Sequence, residues 1–206
     1  MYQQPADFLS IAVPIAIVLL SLTFHEAAHA WTAERLGDPT ARQLGRVSLN
    51  PLVHIDWIGT VLLPLLAAMS NLPIIGWAKP VPVDMRRLRH PRRDFMLVAA
   101  AGPVSNILLA TGGALVVHAT GASTFGASPL LEFIEINILL AMFNLVPVPP
   151  LDGGNVLAGL LPPPADAAFQ RLRPFGIIIL YALMFTGMLS AIIMPPARLL
   201  WGLLLP

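Results

Sequence analysis

Long apolar runs alternate along this chain with short polar, proline-rich or arginine-rich breaks, and that pattern lays out its elements. The run starting at Phe8 extends to about Leu36 and predicts a first membrane-length helix, in which Pro14 introduces a kink rather than an end. Residues 55–75 are apolar again but are interrupted by Gly59, Pro64 and Pro73, with basic segments on both sides. Such a stretch predicts a re-entrant hairpin or two half-helices covered by protein, not a clean span. Residues 94–120 and 129–161 predict two further spans, the second broken at Pro147-Val148-Pro149-Pro150. Residues 175–205 complete the chain as one long span, or as a span plus a surface segment after Pro195-Pro196. Between these runs, residues 46–50 alternate polar and apolar before Pro51, and residues 76–83 carry prolines that disfavour helix just before them. Both predict extended or strand segments, able to offer an edge to an unwound peptide.

Composition agrees with a membrane protein: 56% of the 206 residues are hydrophobic and 11% are charged, against about 25% charged in a soluble domain. The first 24 residues contain no Lys or Arg and no small-residue cleavage site before a polar chain, so the first run is expected to remain as a span. The absence of cysteine excludes disulfides, thiolate metal ligands and a cysteine nucleophile. A net charge of +1 decides nothing, but its distribution does. Arg86, Arg87, Arg89, Arg92 and Arg93 place their loop in the cytoplasm, and Arg171 and Arg173 mark a second inside loop. These charges face water and anionic lipid heads, with no sign of a nucleic-acid partner, and His90 among them is read as solvated. The fold class is therefore an all-α polytopic membrane protein of four to six membrane segments, with a re-entrant hairpin and short extended or strand segments near the cytoplasmic face. It is expected to form one membrane-embedded domain over residues 1–206, its motifs within 8–160 and its C-terminal membrane segment or segments within 174–205, in the cell (inner) membrane.

The candidate chemistry is concentrated in His25-Glu26-Ala27-Ala28-His29. On a helix, residues four apart share a face, so the two imidazoles stand side by side with the Glu26 carboxylate next to them. Two neutral imidazoles suit zinc, and a carboxylate that is not a ligand can accept a proton from water. The competing reading is a satisfied polar cluster. Location decides against it, because ionisable groups in a membrane-length helix are costly and usually functional.

A catalytic zinc has three protein ligands and one open position. With the N-terminus outside, the first span runs inward and the 129–161 span runs the same way, so His25, His29 and Asp152 share the cytoplasmic depth. Asp152 follows Pro149-Pro150-Leu151 and precedes Gly153-Gly154, an irregular stretch tolerated at that depth only against protein or a cavity. Asp152 is accordingly the leading third ligand, with a helix N-cap as its alternative role. His54 is the reserve, as ligand or as outer donor. His118, Glu132 and Glu135 fall at the opposite ends of their spans. Asn106 and Asn144 are candidates for bridging helices, or for steadying an oxyanion or a substrate strand.

The chain resembles the site-2 protease family of intramembrane zinc metalloproteases, in its short form without a PDZ-like or other added domain. The resemblance is carried by His25-Glu26-Ala27-Ala28-His29, by Gly45-Arg46-Val47-Ser48-Leu49-Asn50-Pro51 with His54, and by Gly102-Pro103-Val104-Ser105-Asn106. Asn144-Leu145-Val146-Pro147-Val148-Pro149-Pro150-Leu151-Asp152-Gly153 completes it. It implies Zn2+ held by His25, His29 and Asp152, Glu26 as general base, and cleavage of a peptide bond within or near a transmembrane segment of a membrane-protein substrate. Two alternatives from other classes are a membrane metal transporter and a non-catalytic membrane scaffold. Glu26 discriminates, since hydrolysis requires a carboxylate beside the metal and transport does not. Substrate identity and oligomeric state have no signal in the residues.

Overall fold

A computed structural model describes residues 8–57, 59, 79–120 and 129–205. Helix α1 spans Phe8–Arg35 with Pro14 inside it, as its uninterrupted apolar run requires. A short α2, Thr40–Gln43, follows a sharp turn. That turn is pinned by the fully buried Asp38, whose carboxylate accepts hydrogen bonds from the Thr40 and Asp84 backbone amides at 3.0 and 2.7 Å. Helix α3, Pro91–Thr120, is about 45 Å long at 1.5 Å per residue. It begins three residues before the apolar run, because Pro91 suits a first helical turn and the Asp94 carboxylate reaches back to the His90 amide at 2.8 Å.

Helix α4, Pro129–Asn144, is about 24 Å long, shorter than a hydrocarbon layer of about 30 Å. After a turn, α5 covers Asp152–Leu160 and α6 covers Pro163–Gln170. Helices α7, Gly176–Phe185, and α8, Met188–Leu204, finish the chain. Helix α3 is the centre of the molecule and packs against α1, α4 and α5, while α4 also meets α8. Small residues Ala110 and Ala114 of α3 let it approach Ile134 and Ile138 of α4, and Leu189, Ile193 and Ala197 of α8 close the same core.

Three stretches are long and apolar enough to cross a membrane, Ala12–Arg35, Pro91–Thr120 and Pro163–Phe185, and Met188–Leu204 is a shorter apolar helix. Leu20, Leu108, Leu115, Ile178, Phe185 and Leu199 point outward, as side chains facing lipid tails would. The protein is an all-helical integral membrane protein.

Two expectations meet the structure differently. The C-terminal run divides at Thr186-Gly187, where Gly187 takes φ +74°, and Pro195-Pro196 lie inside α8 rather than ending it. The extended segments are not strands, for no strand occurs among the described residues. Residues 46–50 are instead folded into a loop by side chains: Arg46 donates to the Val53 carbonyl, and the His54 ring bonds the Ser48 carbonyl at 2.9 Å. A backbone bond, Lys79 N–H to His54 C=O at 2.8 Å, ties this loop to the start of the next described segment. The expected hairpin at 55–75 falls largely outside the described residues, as does the 121–128 connection.

Candidate active site

His25 and His29 lie one turn apart on α1, in the second half of the helix, with their rings edge to face and centroids 4.7 Å apart. Both are buried. Facing them is the first turn of α5, where the Asp152 Oδ2 atom lies 3.0 Å from His25 Nε2 and 3.3 Å from His29 Nε2. The N-cap of α5 is Leu151, so Asp152 is the first helical residue and its side chain is turned to the histidines instead of capping. The positive end of the helix dipole favours a carboxylate at that position.

The turn that delivers Asp152 depends on close backbone packing. A Cβ at Gly153 would stand 2.2 Å from the Leu145 carbonyl oxygen, so only glycine lets α5 fold back on the end of α4. The same logic holds across the site at Gly102, where a Cβ would lie 2.4 Å from His29 Nε2 and 2.5 Å from His25 Nε2. Helix α3 therefore lies flat against the imidazole pair.

Each imidazole is oriented from behind. His29 Nδ1 lies 2.6 Å from the Val98 carbonyl, which can only accept, so Nδ1 carries the proton. His25 Nδ1 lies 2.6 Å from Asn106 Oδ1, and the Asn106 amide nitrogen is occupied by the Ser21 carbonyl at 3.3 Å and Asn137 Oδ1 at 2.9 Å. In its neutral form each ring thus turns a bare Nε2 lone pair towards one carboxylate oxygen. That oxygen is itself buried and accepts no hydrogen bond.

Three converging lone-pair atoms, all within 4.8 Å of one another, repel unless a cation lies among them. Ligands about 2.0–2.1 Å from a tetrahedral zinc stand about 3.3 Å apart, close to the two separations observed here. Two imidazoles and a carboxylate are also zinc's preferred donors where no thiolate is present. The residues fit the metal. Among the described residues this is the one group of three or more such side chains that can hold an ion.

Glu26 is buried on the adjacent face of α1, and its carboxylate takes no hydrogen bond among the described residues. His54 is buried but lies outside the donor cluster: its Nε2 bonds the Ser48 carbonyl at 2.9 Å, and its buried Nδ1 has no partner among the described residues. Asn106 sits directly behind His25. Asn144 does not join the cluster, for its amide donates to the Leu140 carbonyl one turn back at 3.0 Å. The sequence reading assigned no role to Ser21, Gly102, Val98 or Asn137. Asn137 had a signal, an amide in an apolar run; the Val98 carbonyl had none, because every residue carries one.

Residues 111–187 match the sequence profile of peptidase family M50. YwhC of Bacillus subtilis (strain 168), whose name proposes a zinc metalloprotease, is 38% identical over 190 residues, which are 88% of this chain and 84% of YwhC. Rip2 of Mycolicibacterium smegmatis, named in the same way, is 30% identical over 196 residues, 91% of this chain and 72% of Rip2. Rip2 of Mycobacterium tuberculosis (strain H37Rv) is 30% identical over 193 residues, with the same shares covered. No solved structure matches the chain significantly. The class defined by these helices and relatives is that of membrane-embedded zinc metalloproteases. The chain belongs to peptidase family M50, the site-2 protease family. Membership of a peptidase family favours hydrolysis over the transporter and scaffold alternatives.

Proposed function

We propose that His25, His29 and Asp152 hold the zinc and that Glu26 is the general base in cleavage of a peptide bond within or near a transmembrane segment. The observation that carries this reading is the convergence of two Nε2 lone pairs on Asp152 Oδ2 at 3.0 and 3.3 Å. When bound, zinc supplies Lewis acidity, which polarises the scissile carbonyl and acidifies water near neutral pH. Glu26, one residue from a ligand and not itself one, takes the proton from the attacking water and returns it to the departing amine. The carboxylate of Asp152 offsets part of the dication's charge, which matters where low dielectric makes an uncompensated charge costly. The amide and carbonyl behind the imidazoles hold both rings in the tautomer that leaves Nε2 available.

Further parts of the reading rest on the same geometry. Helices α1, α3, α4 and α5 meet around one site, which supports a single proteolytic domain over residues 1–206. The arginine cluster before α3 supports a cytoplasmic position for the end of α1 that carries the site, in the cell (inner) membrane. The substrate is a membrane-protein segment that must unwind locally, because an intrahelical carbonyl is shielded from attack.

Glu26→Gln tests the assignment. Purified in detergent, the variant is expected to keep one zinc per chain and to cleave a model transmembrane substrate at least about 100-fold more slowly, since only the proton acceptor is lost. Turnover within a few-fold of wild type would remove Glu26 from the mechanism.

A further inference from the structure

Behind His25, on the side away from Asp152, three helices contribute a chain of polar groups closed to solvent: Ser21 of α1, Asn106 of α3 and Asn137 of α4. Their hydrogen bonds have a direction that can be traced. The Phe133 carbonyl, one turn back on α4, accepts from the Asn137 amide nitrogen at 2.8 Å, and a carbonyl can only accept. The same nitrogen donates to Ser21 Oγ at 2.9 Å. Asn137 must therefore present its oxygen, Oδ1, to Asn106, which donates its amide nitrogen at 2.9 Å. The second proton of that nitrogen goes to the Ser21 carbonyl at 3.3 Å. With its nitrogen fully used, Asn106 has only Oδ1 left for His25, and His25 Nδ1 donates to it at 2.6 Å.

We infer that Asn137 is a positioning residue for the metal centre: through Asn106 it selects the His25 tautomer whose Nε2 lone pair faces Asp152. The alternative orientation fails at each step. Turning the Asn106 amide over would put its oxygen against Asn137 Oδ1 and the Ser21 carbonyl, two acceptors without a proton, in a space closed to water. Turning Asn137 over to relieve this would set its oxygen against the Phe133 carbonyl. The orientation of a metal-facing ring is thus anchored in two helix carbonyls, one of them on α4, which contributes no ligand. An asparagine in the middle of an apolar helix face is explained by this duty, because packing alone would favour leucine there.

The inference rests on His25 being a zinc ligand, and the test keeps the two apart. Wild type, Asn137→Leu, Asn137→Asp, Ile138→Ala and His25→Ala are purified in detergent. Zinc affinity is measured by chelator competition, folding by thermal melting, and the ligand field by the visible spectrum of the cobalt(II)-loaded protein. Asn137→Leu is expected to weaken zinc binding about 10–100-fold and to alter the cobalt spectrum, as loss of an outer hydrogen-bonding partner does. Asn137→Asp is expected to stay within about threefold of wild type, since in that closed space the carboxyl is protonated, its O–H donating to the Phe133 carbonyl while its other oxygen accepts from Asn106. A purely packing role predicts the reverse order, with leucine tolerated and aspartate harmful. Ile138, the buried neighbour on α4, serves as the packing control: Ile138→Ala lowers the melting temperature without moving affinity or spectrum. If Asn137→Leu does not fold, Asn137→Ala replaces it in the same measurements. Wild-type zinc affinity and spectrum in the folded apolar variant would overturn the inference. Wild-type zinc binding in His25→Ala would instead overturn the ligand assignment on which it rests.

Discussion

Asp152 is partly buried and His54 buried, each with one buried atom that has no hydrogen-bond partner, Asp152 Oδ2 and His54 Nδ1, and what separates them is that Asp152 alone joins the donor cluster. The His54 ring bonds the carbonyl of Ser48 in its own loop, and the backbone around it is held by Arg46 and Lys79. Asp152 Oδ2 has no donor and faces two imidazole nitrogens. Removing a ligand from a three-ligand site leaves two imidazoles and the full dication charge in a poorly solvated pocket. Asp152→Ala is therefore expected to lose both zinc and activity, whereas His54→Ala keeps zinc near one per chain and is less stable in its loop. Zinc stoichiometry of the two folded proteins decides: full zinc in Asp152→Ala with none in His54→Ala would reverse the assignment.

At the scale of an element, α3 matters more to the site than its lack of a proposed ligand suggests. It supplies the flat surface at Gly102, the carbonyl of Val98 and the amide of Asn106, and so fixes both rings from one side. A mid-helix glycine costs about 1 kcal/mol relative to alanine by propensity alone, so alanine at 102 would stabilise an isolated helix. Here the added methyl has nowhere to go, at 2.4 Å from His29 Nε2 and 2.5 Å from His25 Nε2. Gly102→Ala is expected to destabilise the protein by about 1–3 kcal/mol, as overpacking does, and to abolish stoichiometric zinc binding. Chemical denaturation together with metal analysis measures both, and a more stable, zinc-replete variant would contradict the close approach of α3.

For the whole molecule, the question is which end of the bundle faces the cytoplasm. Around Asp84 the cluster is partly self-neutralised: Arg86 donates to its carboxylate at 2.9 and 3.0 Å, and that hydrogen bonding holds the Asp84 carboxyl below its usual range. Arg93 has no ion pair among the described residues, so the loop keeps its positive excess. The chain has no native cysteine, which makes single-cysteine labelling clean. With α3 about 45 Å long, positions 90 and 124 are expected on opposite sides of the membrane. In intact cells, an impermeant thiol reagent should label a cysteine at 124 and spare one at 90 until the membrane is opened. Labelling at 90 from outside would invert the molecule and move the site to the other face.

The residues alone determined the class of protein and the first and third helices, and placed the candidate chemistry on one helix face. An apolar run of membrane length has few stable outcomes, and a helix places residues 25 and 29 on one face whatever surrounds it. Asp152 stood out as a candidate because a carboxylate between prolines and glycines in an apolar region requires a compensating charge, and the structure brings it beside His25 and His29. Helix ends were less legible. Pro195-Pro196 were one of two readings for a break in the last run and lie within α8, while the actual break is at Gly187, where the backbone adopts a left-handed conformation that favours glycine. Residues 46–50 carried a strand pattern and became a loop, because the bonds of Arg46 and His54 link residues six and seven apart, which no alternation encodes. Only tertiary structure decided that Asn106 serves His25, that Asn144 bonds within its own helix, and that Ser21 and Asn137 belong to the same network. The hydrogen bonds linking Ser21, His25, Asn106 and Asn137 join residues 31 to 116 positions apart. Their geometry follows from how closely α1, α3 and α4 can approach, a property of packed small residues rather than of any local pattern.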